Sequence, residues 1–225
     1  MPNTSLALQW DQDGERLYHT GVSHGVLFPK TSSGYGTGVA WNGLTSVSDS
    51  PSGGEPTDLY ADNRKYLSLM SAEEAGFTIE AYTYPDAFEE CDGSLQAVSG
   101  VYIKQQARKQ FGFSYQSRIG NDIDGDQHDY EIHLYYNCLA APSERSNTTV
   151  NDSPEAQTLS WTCTTTPEDL SSINSNYKPA AHVRIVASQC DETKLAAFLK
   201  KLYGDTSAPT LPSIADVITD LTPAS

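Results

Sequence analysis

The fold is decided by residues 59–92, LYADNRKYLSLMSAEEAGFTIEAYTYPDAFEECD. Residues 64–70 are β-prone, and residues 77–84 alternate apolar and polar side chains as a half-buried strand does. The apolar face of this second strand carries Phe77, Ile79 and Ala81. A polar connector separates the two segments, so we predict that residues 65–70 pair with residues 77–84.

The end of this second strand is marked by Pro85, which has no N–H to donate to a neighbouring strand. The following residues, DAFEECDG, predict one short helical turn that ends at Gly93. The opening stretch therefore predicts a strand, a connector, a second strand and a turn.

Downstream, residues 111–139 predict a long antiparallel hairpin. Phe111, Phe113 and Tyr115 alternate with smaller or polar residues, and residues 130–138 alternate in the same way. The connector NDIDGDQHD is acidic and of turn composition. We expect both strands to be half-buried, with further strands at residues 158–166 and 182–187.

Two helices are predicted near the C-terminus. Asp191 can cap a helix over residues 191–203, whose apolar stripe indicates packing on a sheet, and Gly204 ends it. Ser213 can cap a second, short helix carrying Ile214, Val217 and Ile218. Two helical turns are not stable alone in water, so we expect these three side chains to dock on the body of the same or a neighbouring subunit.

The composition restricts the function. The 225 residues include 13 Tyr and carry a formal net charge of −15. Holding nucleic acid through its phosphates requires Lys and Arg, so this charge argues against that role. No apolar run is long enough to cross a bilayer, and the first residues lack the pattern of a secretory signal.

The residues that could carry chemistry form no recognised catalytic or metal motif. Cys91, Cys138, Cys163 and Cys190 are far apart, which favours buried thiols over a zinc site. We find no nucleophile elbow, zinc-protease helix or phosphate loop, and therefore expect no enzymatic activity and no cofactor.

In the acidic connector, Asp122, Asp124 and Asp126 recur at every second position. Such carboxylates could bind calcium, but Gly125 and the missing Glu do not match an EF-hand loop. Tight turns also select Asp and Gly, so a solvated loop is favoured over a calcium site, and no metal ligand is assigned.

Six segments of the chain resemble one protein family when taken in order. They are NGLTSVSDSPSGGEPTDLYADN (42–63), YLSLMSAEE (66–74), TIEAYTYPDAFEECDGS (78–94), FGFSYQSRIGND (111–122), LAAPSERSNTTVNDSPEAQTLSWTCTTTP (139–167) and LPSIADVI (211–218). The series resembles the major tail proteins, or tail tube proteins, of long-tailed, siphovirus-type bacteriophages. The resemblance covers most of the chain beyond its first forty or so residues and contains no catalytic motif.

The strand patterns and this resemblance together predict a mainly β (α+β) fold. We expect two packed antiparallel sheets of the sandwich or barrel type, one flanking α-helix, a long stacking loop and an arm at each terminus. Residues 1–204 would form a single domain that includes an N-terminal arm at residues 1–14. Residues 205–225 would form the C-terminal arm.

The resemblance also implies a structural role in the virion. Copies of the chain would form rings, expected to be hexameric, that stack into a hollow tube around the tape measure protein. The tail terminator and tail tip proteins would be further partners, and DNA would pass through the lumen without specific binding. Assembly would take place in the host cytoplasm, with no membrane contact by this chain.

Residues 43–58 read as a long excursion from a sheet, flanked by apolar side chains. The flanking residues are Trp41, Leu44, Val47, Leu59 and Tyr60. They could fold back onto their own core, but tail tube proteins stack successive rings through a long inter-strand loop, so the resemblance makes them candidates for an inter-ring interface. Glu80, on the polar face of its strand, is the candidate for a lumen position.

The sequence is also compatible with a different class of function. The chain could be a monomeric β-sandwich module that binds a ligand through its Gly- and Tyr-rich loops, with calcium assisting. A tube protein should form filaments or heterogeneous oligomers at high concentration, whereas a binding module should stay monomeric.

Overall fold

The computed structural model describes residues 8–150, 152 and 156–222, and strands dominate them. The strands are β1 (Tyr18–Thr31), β2 (Gly34–Tyr35), β3 (Val39–Trp41), β4 (Leu44–Asp49), β5 (Ser52–Gly53), β6 (Pro56–Ala61), β7 (Arg64–Met70), β8 (Glu73–Glu74), β9 (Gly76–Ala81), β10 (Leu95–Val98), β11 (Val101–Ile103), β12 (Phe111–Asn121), β13 (Gly125–Ala140), β14 (Leu159–Thr165) and β15 (His182–Val186). The helices are α1 (Glu192–Tyr203) and α2 (Ile214–Leu221), and single 3-10 turns span Asp86–Phe88 and Ala187–Gln189.

One antiparallel sheet of nine strands forms the body, so the predicted mainly β class is confirmed. Its order is β2-β1-β12-β13-β14-β9-β4, with β3 added beside β1 and β15 beside β13. Three separate two-stranded sheets pair β5 with β8, β6 with β7 and β10 with β11.

The main sheet curls around an aromatic core instead of splitting into the two packed sheets that we expected. Strands β3 and β14 are four steps apart in the pairing order, yet the rings of Trp41 and Trp161 lie 5.6 Å apart. Phe77 of β9 likewise lies 4.1 Å from Tyr135 of β13, two steps away. Such contacts bury large rings in edge and tilted geometries that favour aromatic pairs.

Two helices, and not one, cover the outer face of this sheet. α1 buries Leu195, Phe198 and Leu202 against residues of β1, β13 and β15, and α2 packs into the same cluster. The predicted cap of α1 is present, since the Asp191 side chain accepts a hydrogen bond from the Lys194 N–H, and Gly204 ends the helix with a φ of 86°. The short C-terminal helix is thus a second covering element.

The predicted hairpin of residues 111–139 is β12 and β13, but the expectation that both strands are half-buried is wrong. Residues 131–138 are all buried, because one face of β13 lines the aromatic core and the other lies beneath the helices. A bulge near Asn137, whose φ is 50°, shifts the alternation so that Cys138 joins the aromatic side.

The predicted partner of β9 is also wrong. β9 pairs with β14 and β4, whereas residues 64–70 pair with β6 in a hairpin of their own. The apolar face of β9 was identified correctly, since Phe77, Ile79 and Ala81 are fully buried. Adjacent strands often pair, but the core face of β9 needs neighbours that also bring apolar residues, which β14 does with Trp161 and Cys163.

The cysteines behave as small core residues. Cys91, Cys138 and Cys163 are buried, Cys190 is half-buried, and all four are free thiols. Burial raises the pKa of the Cys91 thiol to about 12, so this group stays protonated at neutral pH.

Candidate assembly surfaces

The most exposed apolar element is the β6–β7 hairpin. Every residue of both strands is exposed to solvent. The exposed large side chains are Leu59, Tyr60, Tyr66, Leu67, Leu69 and Met70. Since an isolated two-stranded hairpin is at best marginally stable in water, this exposed apolar surface is a candidate for contact with another molecule.

The sequence nevertheless encodes this hairpin. Asp62 and Asn63, at its turn, have φ values of 52° and 61°, as a type I′ turn requires, and Asp and Asn tolerate this region. Asp58 accepts from the Ser68 hydroxyl and lies 2.7 Å from the Lys65 ammonium across the strands. These local contacts align the two strands without burying them.

A short stem joins the hairpin to the body. Strands β5 and β8 pair Ser52 with Glu74 and Gly53 with Glu73, so the chain leaves the main sheet after β4 and returns at β9. The predicted excursion over residues 43–58 is therefore corrected. Residues 44–49 belong to the main sheet because Leu44 and Val47 pack on its core, and the excursion spans residues 52–74.

The five flanking candidates divide accordingly. Trp41 is buried, and its indole Nε1–H donates to the Thr83 carbonyl at 2.9 Å. Leu44 and Val47 are half-buried against the same core, whereas Leu59 and Tyr60 lie in solvent on the hairpin. Only the last two occupy positions suited to a contact between copies.

A second apolar hairpin escaped the sequence analysis. β10 and β11 meet at a turn containing Gly100 and leave Leu95, Val98, Val101 and Ile103 about half exposed or more. The signal was available in LQAVSGVYI, two β-prone runs separated by Ser-Gly.

Glu80 lies on a polar face formed by three neighbouring strands. In register, Ser46, Glu80 and Ser160 form one row across β4, β9 and β14, and Ser48, Thr78 and Thr162 form the next. The Ser46 hydroxyl donates to the Glu80 carboxylate at 2.8 Å. None of these three strands contains Lys or Arg, so the face presents hydroxyl groups and one carboxylate.

The C-terminal docking residues are placed by α2. Ile214 and Val217 are buried with α1 and β13, whereas Ile218 is 38% exposed and lies outside this contact. Ser213 and Asp216 form a capping box, and the Lys201 ammonium lies 2.7 Å from Asp220. The segment therefore docks on its own subunit. Residues 223–225 of the C-terminal arm and 1–7 of the N-terminal arm lie outside the described residues.

The three aspartates of the β12–β13 turn have separate partners. Asp122 accepts from Gly14 N–H and Arg16, Asp124 from Asn121, and Asp126 from Arg118. Within the described residues, no group of three or more His, Cys, Asp or Glu side chains could hold a metal ion.

A stacked cluster of ionisable side chains lies between β12, β13 and β15. His133 stacks on Tyr115 at 4.6 Å, and its Nδ1 lies 3.2 Å from Nε2 of His182, which itself stacks on Tyr135 at 4.1 Å. Burial lowers the pKa of His133 to about 4, with the neighbouring His182 adding to the effect. Tyr135 donates to Asp49, and burial raises the pKa of its hydroxyl.

This cluster lacks the geometry of a catalytic triad. Ser117 Oγ contacts Nε2 of His133 at 3.1 Å, and Glu131 lies 3.6 Å from the same nitrogen. A triad requires the acid at the opposite ring nitrogen, where it orients the base, and that position is taken by His182. We therefore interpret the stacked cluster as part of the packing between these strands.

No protein-family model matches the chain, and no curated protein is significantly similar to it. Among the described residues, neither helix has the length and apolar composition needed to span a membrane.

Proposed function

We propose that this chain is a structural protein that assembles with copies of itself into a tube, as a major tail protein of a long-tailed bacteriophage. The observation that carries the proposal is the β6–β7 hairpin, which holds exposed apolar side chains away from the body. Self-association covers such a surface, and a contact between different patches of identical subunits closes into rings or extends into filaments.

The hydroxyl-rich face around Glu80 supports the same proposal. A polyanion confined beside this face meets no Lys or Arg on β4, β9 or β14 that could trap a phosphate. We place this face toward the lumen, where DNA slides past without specific binding. The tape measure, terminator and tail tip proteins enter as partners through the sequence resemblance, as do the hexameric ring and the location in the virion.

Size measurement tests the proposal directly. The purified chain should form rings or tubes visible by negative-stain electron microscopy, and light scattering should show mass increasing with concentration. A single monomeric species at every concentration would contradict it.

A monomeric ligand-binding module is the second candidate, favoured by one cavity. About 560 Å³ lies between β1, β3 and α1, with Trp41, His24 and Tyr203 in its lining. An aromatic wall with a few polar groups is typical of small-molecule sites. A chain that stays monomeric and binds a small aromatic probe there, with the affinity lost in Tyr203→Ala, would favour this candidate over the tube.

A further inference from the structure

A cavity of about 610 Å³ lies at the base of the β12–β13 hairpin. Arg108, three residues before β12, and Ser143, three residues after β13, both line it. The hairpin places this cavity at the end opposite to its acidic turn. β12 spans 11 residues, so the two features are about 33 Å apart along the strand.

The cavity is cationic although the chain is strongly acidic. Its lining contains Lys104, Arg108 and Arg145, with Asp92 as the acidic residue. Lys104 lies 3.0 Å from Glu89, and Arg108 lies 3.3 Å from Asp92 and donates to the Ala140 carbonyl. Two of the three cations are thus already paired within the subunit.

Arg145 differs from the other two cations. Its guanidinium donates to the Tyr84 hydroxyl at 3.2 Å and lies 5.3 Å from the centre of that ring. The Tyr84 hydroxyl donates onward to Glu89, which fixes the ring that supports the guanidinium. Within the described residues, Arg145 has no carboxylate at salt-bridge distance, so it can still bind one that arrives from outside.

The acidic turn has a matching carboxylate that no Lys or Arg of the described residues holds. Asp122 and Asp126 are held by Arg16 and Arg118. Among the described residues, Asp124 contacts Asn121 and His128, and it is 56% exposed beside the exposed side chain of Ile123. The turn therefore presents one available carboxylate and one apolar side chain.

We infer that the acidic turn of one copy, residues 122–126, binds the cationic cavity of the next copy, with Asp124 facing Arg145. Charge complementarity between Asp124 and Arg145 identifies a second copy as the occupant. The turn and the cavity lie at opposite ends of the same hairpin, so the contact is made between two copies. The contact joins two different patches, so it repeats from copy to copy in one direction. It rests on the proposed self-assembly and adds a second interface to the β6–β7 hairpin.

Charge reversal tests the pair. Asp124→Arg and Arg145→Glu should each raise the concentration required for tube formation at least about tenfold, equivalent to about 1.4 kcal/mol. The double variant D124R/R145E should restore assembly, because the pair is recreated with opposite polarity. Lys200→Glu, an equal charge change on the exposed surface of α1, should leave it unchanged.

Disulfide trapping provides a second readout. A chain carrying both Asp124→Cys and Ser143→Cys should give a ladder of covalent multimers on a non-reducing gel after mild oxidation, whereas either single substitution should not.

The outcomes separate the two proposals. Tubes at the wild-type concentration in both reversal variants, with no ladder, would overturn the contact and leave the proposed function standing. The cavity would then be open to another anion, such as inorganic phosphate. A wild-type chain that never associates would overturn both.

Discussion

Leu59 of β6 and Leu67 of β7 are cross-strand partners, and both side chains stand in solvent. Leu69 lies on the same face, two residues beyond Leu67, so the hairpin presents three leucines together. In most small sheets such a face packs on a core. Here the face remains exposed, which is why we assign it to contacts between copies.

The first prediction concerns this hairpin. Leu69→Asp and Tyr60→Asp should each prevent tube formation, because they place a charge in a surface that must be desolvated. Both side chains are exposed, so the free energy of unfolding should change by no more than about 0.5 kcal/mol. Electron microscopy and urea unfolding measure the two effects.

Val150→Asp is the matched control for these variants. Val150 is 79% exposed and outside both hairpins. It should leave folding and assembly unchanged. Tubes of normal length from the Leu69→Asp chain would remove the hairpin from the interface.

The second prediction uses two isoleucines of α2. Ile214→Ala should lower the free energy of unfolding by about 2–5 kcal/mol, because Ile214 is buried against α1 and the sheet. Ile218→Ala, the same change one helical turn away at a partly exposed position, should cost clearly less. Equal losses in thermal unfolding would mean that α2 is not docked as described.

The third prediction concerns pH. The pKa of His133 is lowered to about 4 in the folded state and lies near 6.5 in the unfolded chain. The unfolded state therefore binds the proton first as the pH falls. The contribution of His133 to the free energy of unfolding should be fully present above about pH 6.5 and decrease between pH 6.5 and 4. The total loss should be about 3 kcal/mol.

Measuring the free energy of unfolding of His133→Phe across this pH range isolates the contribution of His133 protonation. Phe keeps the stacking on Tyr115 but cannot be protonated, so the decrease should become shallower. An unchanged slope in His133→Phe would assign the acid sensitivity to other groups.

The fourth prediction addresses Glu80. Glu80→Lys should leave tubes intact, because the side chain lies on the polar face of β9 that is opposite the aromatic core. Phage carrying the variant should nevertheless eject DNA more slowly. A lysine there offers a site where phosphates bind, and raising the salt concentration should reduce the delay.

Glu192→Lys, an equal charge change at an exposed position in the first turn of α1, is the control for Glu80→Lys. It should not change the ejection rate. If Glu80→Lys phage eject at the normal rate and salt dependence, the carboxylate has no role in DNA passage.

Much of the fold was predictable where one local pattern decides the structure. The alternation around Phe77 identified the buried face of β9, and Asp191 with Gly204 bounded α1. The pairing partner of β9 was not predictable, because pairing depends on which distant strand supplies a complementary apolar face. The two-sided burial of β13 was missed for a related reason, since the helices that cover it begin 52 and 74 residues after the end of the strand.

The assembly surfaces show the same division. Leu59 and Tyr60 were selected as flanks of a loop and do lie in solvent, whereas Trp41, chosen by the same argument, is buried. Sequence position alone does not distinguish an apolar residue that ends a core strand from one that begins an exposed hairpin. The cavity around Arg145 could not be found from sequence. Arg108 precedes β12 and Arg145 follows β13, so the two cations meet only once the hairpin has formed.

The central claim, that exposed apolar hairpins drive assembly into a tube, is tested most directly by negative-stain electron microscopy of the purified chain beside Leu69→Asp. We expect rings or tubes from the wild-type chain and separate subunits from the variant at the same concentration. A wild-type sample containing only monomers at every concentration would contradict the claim.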